Sequence, residues 1–128
     1  MLATVREIMS TELLTVDPST NLIEAAHAMS VGGAGSVLVL ESSSLVGIFT
    51  ERDILRAIAS SESADLARVS AVSRWMTEDP VTIEPDVTVA EALNQMFFGG
   101  FRHLPVMEGN EVVGVISMRD LAESIAKQ

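Results

Sequence analysis

The sequence repeats itself after 67 residues, and this constrains the fold more than any other feature. Residues 5–54 align with residues 72–121 without a gap, and 15 of the 50 residue pairs are identical, several times what composition alone gives. Because a repeated supersecondary unit buries its apolar face against its neighbour, the duplication predicts two small copies that share a core. We place repeat 1 at residues 3–56, a connector at 57–71 and repeat 2 at 72–125. Identical pairs fall at turns, helix faces and one charged motif: Pro18 and Pro85, Glu24 and Glu91, Met29 and Met96, Gly32-Gly33 and Gly99-Gly100, Arg52-Asp53 and Arg119-Asp120.

Both copies predict the same order of elements: a short helix, an extended segment ended by proline, a helix, a hairpin and a last helix. The second helix begins with the spacing of a capping box at Asn21 or Thr88 and stops at the glycine pair. The last helix begins near Arg52 or Arg119. The predicted ranges are residues 5–9 and 72–76 for the short helix, 14–16 and 81–83 for the extended segment, and 36–40 with 45–49 and 104–107 with 112–116 for the hairpins.

The hairpin strands are apolar at nearly every position, so both faces of each hairpin must be covered. One copy cannot cover both faces alone. We therefore expect an α/β (α+β) fold in which two βαββα units pack sheet against sheet with pseudo-two-fold symmetry. The connector is rich in Ser and Ala, and part of it is expected to be helical.

Composition excludes several classes of function. The absence of cysteine rules out disulfides and cysteine-ligated zinc. The formal net charge of −10 repels phosphate backbones, so nucleic acid is not an expected partner. No apolar run reaches the roughly 20 residues that span a bilayer, and no secretory signal is visible at the N-terminus. We expect a cytoplasmic protein with no membrane partner.

Catalysis finds little support in the sequence. Cysteine and tyrosine are absent, and the two histidines are His27, on the solvent side of a predicted helix, and His103. No histidine and carboxylate pair has metal-ligand spacing, so we expect neither an enzyme nor a metal site. No catalytic cofactor is expected.

The end of each hairpin carries a repeated motif of glycine, two apolar residues, a hydroxyl residue, a variable residue, arginine and aspartate. A strand ends here and a helix begins, so free backbone amides and a hydroxyl can bind an anion. The arginine can pair with phosphate, and the aspartate can accept hydrogen bonds from a ribose diol. The same spacing is also a plain helix cap. Arginine in a first helical turn opposes the helix dipole, which favours an anion. The residues are Thr50, Arg52 and Asp53 in the first copy, and Ser117, Arg119 and Asp120 in the second.

A second basic feature occurs in one copy only. Arg102 and His103 stand directly before a predicted buried strand and after two glycines, where the first copy has Gly35 and Ser36. Either these side chains are simply solvated at the strand entrance, or they contact phosphate. If they contact phosphate, the two sites are unequal and the second copy grips phosphate more strongly.

These motifs together resemble the CBS domain, and the tandem pair resembles a Bateman module over residues 3–125. The resemblance rests on the Glu-Ala helix, the Leu-Pro-Val strand entrance at Leu104, and the motif that ends at Asp53 and Asp120. It implies a sensor that binds an adenosyl ligand (AMP, ADP, ATP, S-adenosylmethionine or a dinucleotide) in clefts between the repeats.

The resemblance also implies a role for individual residues. Asp53 and Asp120 would contact ribose, Thr50 and Ser117 would lie near phosphate, and Arg102 and His103 would reach phosphate. The base would pack against the extended segments, at Leu13, Leu14 and Thr15 or at Pro80, Val81 and Thr82. The family commonly forms disk-shaped homodimers and acts on a protein partner, here unidentified. The alternative is a structural dimerisation module without ligand, in which the motifs are only helix caps.

Overall fold

The structure of the protein is a computed structural model that describes residues 3–60 and 62–127. In chain order, its elements are α1 (Val5–Ile8), β1 (Thr15–Val16), α2 (Leu22–Gly32), β2 (Ser36–Glu41), β3 (Ser44–Thr50), α3 (Glu51–Ser60), α4 (Ala64–Val69), a 3₁₀ turn (Val72–Arg74), β4 (Thr77–Glu78), α5 (Val89–Gly99), β5 (His103–Glu108), β6 (Glu111–Ser117) and α6 (Met118–Ala126). The mixed α+β composition and the repeated order of elements confirm the predicted fold class, and the connector carries the predicted helical segment.

Two compact units are present, and they do not coincide with the sequence repeats. One unit is the continuous segment 14–80, and the other combines residues 3–13 with residues 81–127. Residues 3–13, which precede the βαββα unit of the first copy, therefore belong to the unit of the second copy. Residues 72–80, which precede that of the second copy, belong to the unit of the first. Val5 lies in the apolar core formed by the second copy, together with residues such as Val89 and Leu121. Val72 lies in the core formed by the first copy.

The backbone pairing obeys the shift of 67 residues even where the strands are short. In the unit 14–80, the strand order is β1-β2-β3-β4, with β1 parallel to β2 and the other pairs antiparallel. In the other unit, β5 and β6 form the hairpin. The equivalents of β1 and β4 are reduced there to single bridges, Ile83 with Val106 and Ser10 with Val115. The same four-stranded arrangement thus underlies both copies.

A proline explains why the second copy of β1 is shorter than predicted. In the first copy, the Leu38 amide donates to the Leu14 carbonyl at 2.9 Å. The equivalent of Leu38 is Pro105, which has no N–H to donate. The Ile83 amide still donates to the Pro105 carbonyl at 3.0 Å, so the segment stays beside β5 but pairs over a shorter length.

The helix ends follow the sequence signals. The Asn21 and Thr88 side chains accept hydrogen bonds from the amides of Glu24 and Glu91. At the other ends, Gly33 and Gly100 adopt left-handed backbone angles, with φ of 64° and 72°, as glycine does at little cost. These capping and stop predictions are confirmed.

The hairpin of the first copy closes through two serines with positive φ, Ser42 at 51° and Ser43 at 68°. The second hairpin uses Gly109, at 63°. Tight two-residue turns favour positive φ because their twist matches that of the strands. The first turn therefore adopts this geometry although serine, unlike glycine, rarely has a positive φ.

Candidate functional site

The candidate residues of the first copy gather at one edge of its sheet. Ser36, at the start of β2, pairs with Thr50, at the end of β3. Leu14 joins this edge through its carbonyl, which accepts from Leu38. Because β1 runs parallel to β2, the start of β1 lies at the same edge as the N-terminus of α3. Asp53 follows in the first turn of that helix.

The second copy brings a more basic set of residues to the equivalent edge. His103 pairs with Ser117, and the Met118 amide donates to the Arg102 carbonyl at 2.8 Å. Arg102 and the helix N-terminus that carries Arg119 and Asp120 are therefore neighbours. Val81 and Thr82 approach the same edge just before Ile83 pairs with Val106.

Both aspartates cap the helices that they begin, as one of the two interpretations predicted. Asp120 Oδ2 accepts from the Ser117 amide at 3.0 Å, and the Ser117 hydroxyl accepts from the Asp120 amide at 3.0 Å, which is a complete capping box. Asp53 Oδ2 accepts from the Thr50 amide at 2.9 Å and from its hydroxyl at 3.3 Å. The caps fix the position of each carboxylate at the sheet edge.

The basic side chains project into solvent at these edges. Arg52 and Arg102 are exposed and His103 is half-buried. The Arg119 side chain is 85% exposed, and its Nε lies 3.4 Å from Glu123 Oε1. These positions leave the three guanidinium groups accessible to a small anion.

The predicted base-contacting residues divide at the boundary between the units. Leu14 and Thr15 belong to the unit of Asp53, whereas Leu13 belongs to the other unit. Likewise, Val81 and Thr82 belong to the unit of Asp120, whereas Pro80 belongs to the unit 14–80. Four of these six residues thus lie in the same unit as the candidate ribose carboxylate of their own copy.

Arg56 is a residue at this edge that the sequence reading missed. Its Nη1 donates to Asp53 Oδ1 at 2.8 Å and to the Trp75 carbonyl at 3.4 Å. The signal was its spacing, because residues three apart lie on the same face of a helix. Comparison of the two copies gave no signal for Arg56, because the equivalent residue in the second copy is Glu123.

Two further features, a metal-ligand cluster and a membrane-spanning helix, are absent from the described residues. These residues contain no group of three or more His, Asp or Glu side chains placed to hold a metal ion. None of the helices in this part of the chain is long and apolar enough to cross a membrane.

Two sheets with repeated βαββα topology, each with a helix-capping aspartate at one edge, define a tandem repeat of one βαββα unit. The chain belongs to the CBS domain family, whose model matches residues 5–60 and 69–127. An uncharacterized 17.7 kDa protein of Acidianus ambivalens is 39% identical over 127 residues, which is 98% of this chain and 74% of that protein. The CBS domain-containing protein CBSCBSPB5 of Arabidopsis thaliana is 35% identical over 97% of this chain, but the match spans only 23% of the plant protein.

Solved structures share the fold over nearly the whole chain. The CBS-domain protein ATU1752 of Agrobacterium tumefaciens matches with a TM-score of 0.90 and 30% identity, covering 98% of this chain and 95% of that one. The CBS domain pair of MJ0100, solved with 5′-methylthioadenosine and S-adenosyl-L-methionine, has a TM-score of 0.89, 22% identity and coverage of 99% and 98%. CBSX2, solved with AMP, has a TM-score of 0.81, 20% identity and coverage of 98% and 97%. Because MJ0100 and CBSX2 are only 22% and 20% identical to this chain, the similarity to them shows a shared fold alone.

Proposed function

We propose that this chain is a non-catalytic regulatory module that binds an adenine nucleotide and passes the signal to a protein partner or to its own oligomeric state. The observation that carries the proposal is the second-copy edge, where the Arg102 carbonyl accepts from the Met118 amide and Arg119 and Asp120 follow in the first turn of α6. Helix amides and guanidinium groups bind phosphate, and a carboxylate held by a cap accepts hydrogen bonds from ribose hydroxyls. Val81 and Thr82 are beside this edge to contact the base.

The bound adenosyl ligands of MJ0100 and CBSX2 support the same ligand class. AMP, ADP and ATP are the nucleotides we expect, with S-adenosylmethionine as the alternative adenosyl ligand. For such a ligand to regulate anything, it must bind two states of the protein with different affinities.

The test is a calorimetric and thermal-shift titration of the chain with AMP, ADP, ATP and S-adenosylmethionine. We expect saturable binding of one of them and a rise in melting temperature, because a ligand that binds only the folded state stabilises it. Arg119→Ala should weaken binding roughly ten- to hundredfold, the cost of a lost charge-assisted hydrogen bond. Its melting temperature without ligand should hardly change, because the side chain is exposed.

Arg68→Ala is the matched control, since it removes the same charge from an exposed position on α4. It should bind the nucleotide as the wild type does. Equal affinity in the Arg119 and Arg68 variants would remove the phosphate role from Arg119. Failure of all four ligands to bind the folded wild type would overturn the proposed function.

A second candidate function is homodimerisation, which the surface of α5 favours. Phe97 and Phe98 are 74% and 82% exposed, and their rings meet edge to face with centroids 5.3 Å apart. Exposed aromatic pairs of this kind are typical of interaction sites. The single charge on α5 is Glu91, in its first turn. A second copy, which also carries a charge of −10, can therefore approach the end of this helix with little repulsion.

The double variant Phe97→Ser and Phe98→Ser tests this surface by sedimentation velocity. We expect the wild type to be a dimer and the variant a monomer with an unchanged melting profile. Leu55→Ser, at an exposed apolar position on α3, serves as control and should remain dimeric. A dimeric double variant would exclude α5 as the contact.

A further inference from the structure

The two candidate ribose carboxylates differ in how many of their acceptor positions are already used. Asp53 accepts two hydrogen bonds from Thr50 at Oδ2 and one from Arg56 at Oδ1. Its side chain is 6% exposed. A carboxylate offers about four lone-pair positions, so Asp53 cannot accept both hydroxyls of a ribose diol in this arrangement.

Asp120 retains the capacity that Asp53 has lost. Its Oδ2 accepts from the Ser117 amide, and among the described residues no donor reaches Oδ1. Glu123 occupies the position of Arg56 and pairs with Arg119 instead. The half-buried Asp120 carboxylate therefore keeps one oxygen for a ligand.

Arg56 is held in place from two sides. Its Nη1 donates both to Asp53 and to the backbone carbonyl of Trp75, just after the 3₁₀ turn. Removing the arginine from a buried carboxylate leaves an uncompensated buried charge. A ribose that displaced Arg56 from Asp53 would meet this penalty, so the pair opposes binding at the first-copy edge.

The backbone carbonyls at the two edges also differ, and this difference again leaves more acceptor capacity in the second copy. The Leu14 carbonyl already accepts from Leu38, whereas Pro105 cannot donate to the equivalent carbonyl of Val81. An exocyclic amine on a base can therefore use the Val81 carbonyl. Three independent features (the carboxylate, the carbonyl and the basic pair Arg102 and His103 at the start of β5) all favour the second copy.

We propose that each chain binds one adenosyl ligand, at the Asp120 edge, and that Arg56 is the positioning residue that closes the Asp53 edge to ribose. This inference rests on the proposed function and adds its stoichiometry and the residue that sets it. Two unequal copies then have distinct tasks: one binds the ligand, and the other keeps a fixed structure.

The most direct test introduces a guanidinium group into the second copy, at the position equivalent to Arg56. Glu123→Arg places an arginine three residues after Asp120, as Arg56 stands after Asp53. We expect AMP and adenosine to bind this variant at least tenfold more weakly than the wild type. General electrostatics predicts the opposite for AMP, because the substitution replaces a negative charge with a positive one near an anion site, a net change of +2. Glu123→Gln is the control for adenosine, which carries no phosphate for Arg119 to contact, and it should bind adenosine as the wild type does.

The converse variant, Arg56→Ala, should raise the calorimetric stoichiometry for adenosine from one to two per chain. Adenosine is the appropriate probe because the first copy lacks the basic pair that would grip phosphate. Arg56→Gln provides a second variant if the alanine variant does not fold, and Arg68→Ala should keep a stoichiometry of one.

The outcomes separate the two proposals. Two ligands per wild-type chain, or undiminished binding by Glu123→Arg, would overturn the inference and leave the proposed function standing. A folded Arg56 variant that still binds one adenosine would also overturn it. Absence of all adenosyl binding to the wild type would overturn both.

Discussion

Gly47 and Gly114 stand three residues before the hydroxyl residue in the two copies of the motif, and neighbouring backbone explains both. A Cβ on Gly114 would lie 2.9 Å from the Ser10 carbonyl oxygen and would collide with the Met9 sulfur. A Cβ on Gly47 would lie 3.0 Å from the Thr77 carbonyl oxygen, beside the Met76 sulfur. Glycine is required because the backbone of the neighbouring antiparallel segment approaches the strand closely at this point.

Gly114→Ala should therefore lower the free energy of unfolding by about 1–3 kcal/mol, the usual cost of overpacking. The backbone carbonyl of Ser10 cannot move aside without breaking its bridge to Val115. The measurement is urea denaturation of the variant beside Gly109→Asn, which changes a glycine with open space around it to a residue that tolerates positive φ. A Gly114 variant as stable as the Gly109 variant would show that the segment at Met9 and Ser10 packs loosely against Gly114.

At the scale of elements, α1 and the 3₁₀ turn are short pieces whose stability comes from packing. Helices this short do not form alone in water. Each buries one valine completely: Val5 in the core of the second copy and Val72 in that of the first. Arg6 adds an ion pair to Glu108 on the same unit. That hydrogen bond and the charge of Glu108 raise the pKa of Arg6.

Val5→Ala and Val72→Ala should each cost about 2 kcal/mol, as truncation of a buried aliphatic side chain does, but in different units. Hydrogen exchange followed by mass spectrometry should show Val5→Ala exposing amides in residues 81–127. Val72→Ala should expose amides in residues 14–60. If each variant instead loosened the copy that follows it in the sequence repeat, or both loosened the whole chain equally, the assignment of these segments would be wrong.

For the whole molecule, the exchange of segments makes one unit continuous and the other discontinuous. The unit 14–80 contains all of its own strands, whereas the second unit needs residues 3–13 to complete its core. Closing the long loop between these two segments costs entropy that the continuous unit does not pay. The two copies are thus equivalent in topology but not in connectivity.

The distribution of charge is also a property of the whole molecule. The chain carries 18 acidic and 8 basic residues, yet the second-copy edge brings Arg102 and Arg119 together with a half-buried histidine. Local convergence of this kind lets an acidic protein bind a small anion while it repels large polyanions.

The amino-acid sequence was sufficient to predict the duplication, the order of helices and strands, the caps at Asn21, Thr88 and Ser117, and the glycine stops. These features depend on residues close together in the chain, where spacing and backbone preference decide the outcome. The family followed from the same local motifs. The equivalence of the two copies at the level of topology was therefore visible before the structure.

Two features depend on how the folded chain packs: which segment completes which core, and which carboxylate is paired with an arginine. Val5 and Val72 look alike in both repeats, and nothing local tells which copy covers them. The spacing of three residues allows Arg56 to reach Asp53, but the second contact that holds Arg56, to the Trp75 carbonyl, lies 19 residues away in the chain. Such contacts are set by burial and by the closing of long loops, which a local pattern does not record.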